Sequence, residues 1–424
     1  MSILIKNGQV YKNNKFINND LYVGDDNKII IADDIDLEAN EIIDATGLHI
    51  VPGLVDVHVH LREPGFEHKE TIKTGSESGV KGGYTTLMCM PNTSPKIDSE
   101  ETIKRVLDIC KKDSLLNIIP YSCISIDSKG KEFVDYKAMS KYTFAYTDDG
   151  FGVQNDEFME EAIKKIKEVD GILVVHSEDE RELKPNGCIH DGYKAKELNV
   201  VGINSRSEYL QVARDLELVR KYDIQYHVCH VSTKETVDLI RQAKKEGLNV
   251  SCEVTPHHLL LDESDVKNHG NYKMNPPLRT KEDREALIEG IKDNTIEIIA
   301  TDHAPHAKEE NDCDLVKAPF GIVGLETSFG LLYTKLVKNK IISLEKLIDL
   351  MSYNPANIFQ IDAGELDNFS KANIAIFNLK DNELISEKSL VSKSKNSPFI
   401  GEHMQAVNYM TIVNGKVVYR KRGF

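Results

Sequence analysis

No apolar run in the 424-residue chain approaches the ~18 residues of a membrane span. The first residues, MSILIKNGQVYKNN, lack the charged-then-apolar pattern of a secretory signal. Cysteines are few and scattered: there are seven, no two within four residues of each other, which argues against both a disulfide framework and a zinc ribbon. Cys89 in TTLMCMP and Cys229 in YHVCHVS read as small core residues, and a reducing cytoplasm is the expected compartment. Positive charge is also short. With 53 Lys and Arg against 68 Asp and Glu, the net charge of −15 disfavours nucleic acid and anionic membrane as partners. It leaves a small anionic substrate open, because one arginine inside a pocket outweighs a distant negative surface. No Gly-x-Gly-x-x-Gly follows the first strand candidate of the middle region, which tells against a dinucleotide-binding open sheet. Internal repeats and low-complexity tracts are absent too.

What is present divides the chain in three. Near the start, ILIKNGQVY and LYVGDDNKIIIADD are strand-like runs broken by tight-turn residues; near the end, ANIAIFNL and YMTIVNGKVVYR repeat that character, with a turn at Asn414–Gly415. The two ends, residues 1–50 and 366–424, are expected to pair into one small β-sandwich domain. Between them, 51–365 alternates short apolar runs with amphipathic helical stretches such as NDEFMEEAIKKIKEV. LVDVHVH, YTTLMCMP, LNIIPYSCI, TFAYTDDG, ILVVHSED, IQYHVCHVS, NVSCEVTPHH and IEIIATDHAPH make eight strand candidates, the number in a (β/α)8 barrel. The fold class is therefore α/β, a distorted (β/α)8 TIM-type barrel with a small β-sandwich built from both chain ends.

Polar residues gather where such a barrel carries its chemistry, at the C-terminal ends of the strands. His58 and His60 leave the first run one residue apart, a spacing that aims both imidazoles to one side of a strand. Asn92, Asp148 or Asp149, His176, His230, His257–His258 and the Asp302, His303, His306 group end later runs. Four histidines and an aspartate exceed what one tetrahedral ion needs and suit two metals sharing a bridge, with Asp148 or Asp149 as the bridging carboxylate. A metal lowers the pKa of bound water to ~7, making a hydroxide nucleophile, and Asp302 is placed to collect its proton and pass it to a leaving nitrogen. The set reads as metal-assisted hydrolysis of an amide-like bond, or its reverse. Arg62, on the turn before Pro64–Gly65, offers a forked donor for a carboxylate beside the metal. Asn92 and Asn275 stand in turns suited to hydrogen bonding a substrate, and His227 reads as a packed core histidine. The acidic stretch AKEENDCDLVKAPFG reads as a loop over the pocket.

In this order VDVHVHLREPG, MPNT, TDDG, HSED, HVS, NPPLR, TDHAPH and APFGIVGLET resemble the bacterial long-chain dihydroorotases of the amidohydrolase superfamily. The resemblance spans about residues 51–330, and HLREPG together with TDHAPH is its most specific part. It implies interconversion of N-carbamoyl-L-aspartate and (S)-dihydroorotate, the third step of de novo pyrimidine synthesis. It further implies one or two zinc ions, with His58 and His60 on one, His176 and His230 on the other, and Asp149 bridging. Asp302 would be ligand and acid/base. His60, Arg62, Asn92 and His306 would hold the substrate near its carboxylate, and Asn275 with the Phe320–Gly321 backbone would contact the ring. Hydantoinases and allantoinases bridge their metals with a carboxylated lysine; AYTDDGFG has none, which favours an aspartate bridge. Two competitors stand beside this reading. One is a hydantoinase, dihydropyrimidinase or allantoinase acting on a neutral ring. The other is an inactive scaffold paralogue for a transcarbamoylase, which should have lost ligands that this chain retains. A homodimer, or association with an aspartate transcarbamoylase, is the partner expectation.

Overall fold

The computed structural model describes residues 2–424. Eight short parallel strands carry the middle of the chain: β1 (Leu54–Val59), β2 (Tyr84–Cys89), β3 (Asn117–Pro120), β4 (Ala145–Tyr146), β5 (Ile172–Val175), β6 (Tyr226–Val228), β7 (Val250–Val254) and β8 (Ile298–Ile299). Strands β1–β3 form one ladder and β4–β8 another. Two parallel bridges join the ladders: Ser122 to Tyr146 couples the end of β3 to β4, and Val59 to His303 couples β1 to the segment leaving β8. The ring is thereby closed, and each expected run lies on one of its strands. All six residues of β1 and all five of β7 are buried, as parallel strands covered on both faces must be.

Helices cover the ring, and their starts are written locally. Thr71 and Ser99 each accept a backbone N–H from three residues on and donate their own N–H to the hydroxyl there, closing capping boxes at the helices Ile72–Gly82 and Glu100–Asp113. Gly83 ends the first of these with φ +94°, a left-handed C-cap that glycine adopts without strain.

The two ends of the chain meet in two sheets. One holds Ile29–Ala32, Asp20–Val23, Ile3–Lys6 and Glu41–Asp44; the other runs Lys416–Arg420, His403–Val413, Ile374–Leu384, His49–Pro52, Gln9–Lys12, Lys15–Asn18. Ile3, Ile5, Leu21 and Ile29 of the first sheet share a buried cluster with Val10, Ile50, Ile374 and Ile412 of the second. Two details depart from a clean division at 50/51 and 365/366. The strand His49–Pro52 lies in the terminal sheet, paired with Ile374–Phe377. Residues 386–401 leave that sheet and run back to the ring, where the Ser392 hydroxyl and the Lys393 N–H both bind the Glu70 carboxylate.

The terminal sheet and the ring also share apolar contacts. Phe377, 1% exposed, stacks on Phe329 with ring centroids 4.2 Å apart. Phe377→Ala should lower stability by about 3–5 kcal/mol, the usual cost of emptying a buried aromatic site. A fall in the urea midpoint of the whole chain checks this; loss of the terminal sheet alone would show that the two parts do not support each other.

Candidate metal centre

The site is built where β1, β4, β5, β6 and β8 end. Arg62 (φ +63°), His230 (φ +31°) and Asp302 (φ +47°) all have left-handed backbone, uncommon for residues other than glycine and asparagine. Strain of this kind is held only where the surroundings over-determine it, and here it sits at three strand exits of one pocket.

His58 and His60 lie side by side and face the same carboxylates. His58 Nε2 is 3.5 Å from Asp149 Oδ1 and 3.5 Å from Asp302 Oδ1; His60 Nε2 is 3.6 Å from Asp149 Oδ2 and 3.0 Å from Asp302 Oδ1. On the other side of Asp149, His176 Nδ1 and His230 Nε2 each lie 3.9 Å from its Oδ1 and 3.0 Å from each other. The structure thus brings together two triads sharing Asp149, one with His58 and His60 and one with His176 and His230. Asp148 points elsewhere. It accepts the N–H groups of Ile124 and Ser125 and the Ser125 hydroxyl, holding a loop.

Donor chemistry shows that a cation fits here. His58 Nε2 and Asp149 Oδ1 are buried and have no hydrogen-bond partner. Such atoms are costly unless something binds them. Ligands in a tetrahedral site at ~2.0–2.1 Å stand about 3.4 Å apart, close to the His58–Asp149–Asp302 separations. Burial alone would raise the Asp149 carboxyl, yet His58, His60 and His176 around it hold it below the usual range. His230 is pushed well down by burial and by the neighbouring His176 and His58, so its ring stays neutral and keeps a lone pair to give.

The supporting groups were largely missed by sequence reading. His58 Nδ1 donates to Glu253 Oε1 at 2.6 Å, and Glu253 Oε2 meets His227 Nε2 at 3.1 Å, with His227 Nδ1 on Ser251 Oγ at 2.8 Å. Burial would raise Glu253, but His58 and His227 pull it down to about 2, so it is an anion. His227 is therefore packed, and also part of this chain of bonds. Cys229 lies on the same side of His58 as Glu253, and burial keeps its thiol protonated. The overlooked signal was Glu253 itself, a lone acid inside the apolar strand NVSCEV, where a buried charge needs a partner. Asp56 in LVDVHV is a second such acid: it accepts the His58 and Thr301 N–H groups, and burial pushes it up to about 7.

The residues expected to read a substrate surround a cavity of about 170 Å³ lined by His60, Arg62, Asn92, Asp149, His176, His230, Asn275, Asp302, Phe320 and Gly321, among others. Arg62 sits in its wall with Nε donating to Pro305 O at 3.1 Å; burial brings the guanidinium down to about 10, and it remains a cation at neutral pH. Asn92 is engaged, accepting at Oδ1 from His60 Nδ1 (3.0 Å) and donating to Asp149 Oδ2 (3.2 Å). Asn275 donates to Glu178 Oε1 at 3.0 Å, and Glu178 lies 3.7 Å from His176 Nε2. His306 does not line this cavity: it stands 3.2 Å from Arg62 in the wall of a second cavity of about 200 Å³, and its Nε2 donates to Phe320 O at 2.8 Å. His303 and His258 are structural: His303 Nδ1 accepts the Gly324 N–H, and His258 Nε2 donates to Pro276 O beside Asn275. The stretch after His306 is pinned by Glu310 on Lys69 and by Lys273 Nζ on Ala318 O.

Known structures share this architecture. The chain superposes on L-hydantoinase (dihydropyrimidinase) from Arthrobacter aurescens with a TM-score of 0.89 at 27% identity, covering 99% of this chain and 96% of that one. A dihydropyrimidinase from Brevibacillus agri gives 0.88 at 23% identity, over 100% and 96%. The fold is that of the amidohydrolase barrels. A family model described as dihydro-orotase-like matches residues 47–236. Proteins named dihydroorotase from Fusobacterium nucleatum (45% identical, 98% of each chain) and Anoxybacillus flavithermus (47%, 96% of each) align along almost the whole length. The chain belongs to the dihydroorotase family.

Glu253→Gln keeps the shape but removes the charge that orients His58. It should weaken binding of a divalent ion about 10–100-fold, as loss of an outer carboxylate does elsewhere. Metal content after graded chelator dialysis checks this; unchanged retention would sink the assignment.

Proposed function

We propose that this chain interconverts (S)-dihydroorotate and N-carbamoyl-L-aspartate, and that it does so with one or two zinc ions. The observation that carries the reading is the placement of Arg62, a half-buried cation in the wall of a pocket that also holds Asp149, His176, His230 and Asp302. Both partners of this reaction carry a carboxylate outside the bond that changes, and a guanidinium is the group that reads it. A neutral hydantoin or dihydrouracil ring gives Arg62 nothing to hold.

His58 and His60 would hold one ion, His176 and His230 a second, with Asp149 between them and Asp302 on the first. When bound, zinc acidifies a water and polarises the amide carbonyl. The chain's own groups do the rest. Arg62, with Asn92 and His306 near it, anchors the substrate carboxylate, while Asn275 and the Phe320–Gly321 backbone flank the ring. Asp302, whose Oδ1 is 3.0 Å from His60 Nε2, takes the proton of the attacking water on a carboxylate oxygen and delivers it to the leaving ring nitrogen. The C–N bond breaks, hydroxide joins the carbonyl carbon and the proton joins nitrogen; cyclisation runs the same transfers backwards. Glu253 keeps His58 in the tautomer with a free Nε2. Association with a second copy, or with an aspartate transcarbamoylase, stays part of the same proposal. Residues 1–50 and 366–424 are taken as the accessory β-domain of this enzyme and 51–365 as its catalytic barrel.

The test is ring opening of dihydroorotate by the zinc-loaded protein beside hydantoin, dihydrouracil and allantoin. Dihydroorotate alone should be turned over. Arg62→Ala should lower kcat/KM for it by about 30-fold or more, the cost of roughly 2 kcal/mol for removing one side of a desolvated ion pair. Turnover of a neutral ring, or indifference to Arg62→Ala, would move the chain to the hydantoinase side. Asp302→Asn should abolish turnover while substrate still binds; residual activity near wild type would remove Asp302 from the proton path.

A further inference from the structure

Residues 386–401 leave the terminal sheet and lie along the mouth of the barrel. Two buried acids fix their path: Glu326 accepts the Val391 and Ser392 N–H groups at 2.9 Å, and Glu70 accepts the Lys393 N–H at 3.0 Å. The Ser394 hydroxyl adds a bond to Lys69 O at 2.6 Å. The strap then delivers Asn396, 3% exposed, between two stretches of pocket wall. Its Nδ2 donates both protons, to Ala304 O at 3.0 Å and Gly321 O at 2.9 Å. Its Oδ1 accepts the His306 N–H at 3.1 Å, and its own carbonyl accepts the Val323 N–H at 2.8 Å.

One residue therefore reinforces the tie between 304–306 and 321–323, which the Ala304 N–H makes directly to Ile322 O at 2.8 Å. Ala304 and Gly321 line the cavity, and His306 stands behind Arg62. The wall has no slack: at Gly321, with φ +136°, a Cβ would lie 2.6 Å from Ala304 Cβ and 2.8 Å from Ala304 O. Building on the dihydroorotase reading, we propose that Asn396 is a positioning residue for substrate recognition. It acts through the backbone of His306 and Gly321 and never touches the substrate. Only a carboxamide suits the place, because two carbonyls need donors and one N–H needs an acceptor. An aspartate of the same shape would lose both donors and set its charge against two carbonyl oxygens.

A wall that shifts on the order of 1 Å weakens a positioned substrate by up to about 10²-fold. In the metal-loaded full chain, Asn396→Ala and Asn396→Asp should raise KM for dihydroorotate about tenfold or more and leave kcat within about threefold. Metal content should stay near wild type, Tm should fall by several degrees as two buried carbonyls lose their donors, and Lys393→Ala, on the exposed face of the same strap, should change neither constant. Hydrogen–deuterium exchange should quicken at the His306 amide in both Asn396 variants, a readout independent of turnover. Unchanged KM with unchanged exchange overturns the proposal. So does failure of both variants to fold, or a loss of kcat and metal content in step with Tm while KM holds, which would make Asn396 a stabilising residue only. Inertness of the wild-type protein towards dihydroorotate would instead defeat the functional reading, and exchange at His306 would still decide whether Asn396 fixes the wall.

Discussion

The contact between His58 Nδ1 and Glu253, 2.6 Å long and fully buried, is the constraint on which the site depends. A carboxylate in that position demands the Nδ1 proton, and the other ring nitrogen must then face the pocket with its lone pair free. Removing a carboxylate from water costs several kcal/mol, and only close geometry with further hydrogen bonds offsets it. Those bonds are present: Glu253 also meets His227 and the backbone N–H of His230. One acid on β7 thus orients groups from β1 and β6 together. The barrel makes this possible because neighbouring strand ends converge.

The same convergence explains why strain collects where it does. Arg62, His230 and Asp302 adopt left-handed backbone just where their strands give way to loops. Each is turned out of the ladder direction and towards the pocket. Packing on every side holds them there, since the strands beneath are buried throughout.

Much of this was legible in the sequence because the barrel writes its pattern locally. Seven of the eight apolar runs, all but LNIIPYSCI, ended in a residue able to bind metal or substrate, and the structure puts each run on a strand of the ring. The residues that came through most clearly, His58, His60, His176 and His230, follow apolar runs directly. What stayed hidden needed distance in the fold. Glu253 sits inside a strand rather than at its end, and its role depends on a partner 195 residues away. Asn92 and Asn275 were read as substrate contacts, whereas in the structure their amides also steady His60, Asp149 and Glu178. Asn396 carried no local signal, because KSKNSPF reads as an ordinary polar loop until the terminal sheet folds it back.

The strand Ile374–Leu384 pairs with His49–Pro52 on one side and His403–Val413 on the other. The entry to β1 is thus held by residues more than three hundred positions downstream, and the strap that finishes the pocket wall lies between those two late strands. On the ribosome, domains tend to fold as their chain emerges. Here the helices and strands of the ring emerge first, but the wall beside Arg62 waits for the later residues 386–401. The pocket is complete only once residues 386–401 have followed, so a nascent chain that stops short of them carries the proposed metal ligands without the finished wall beside them.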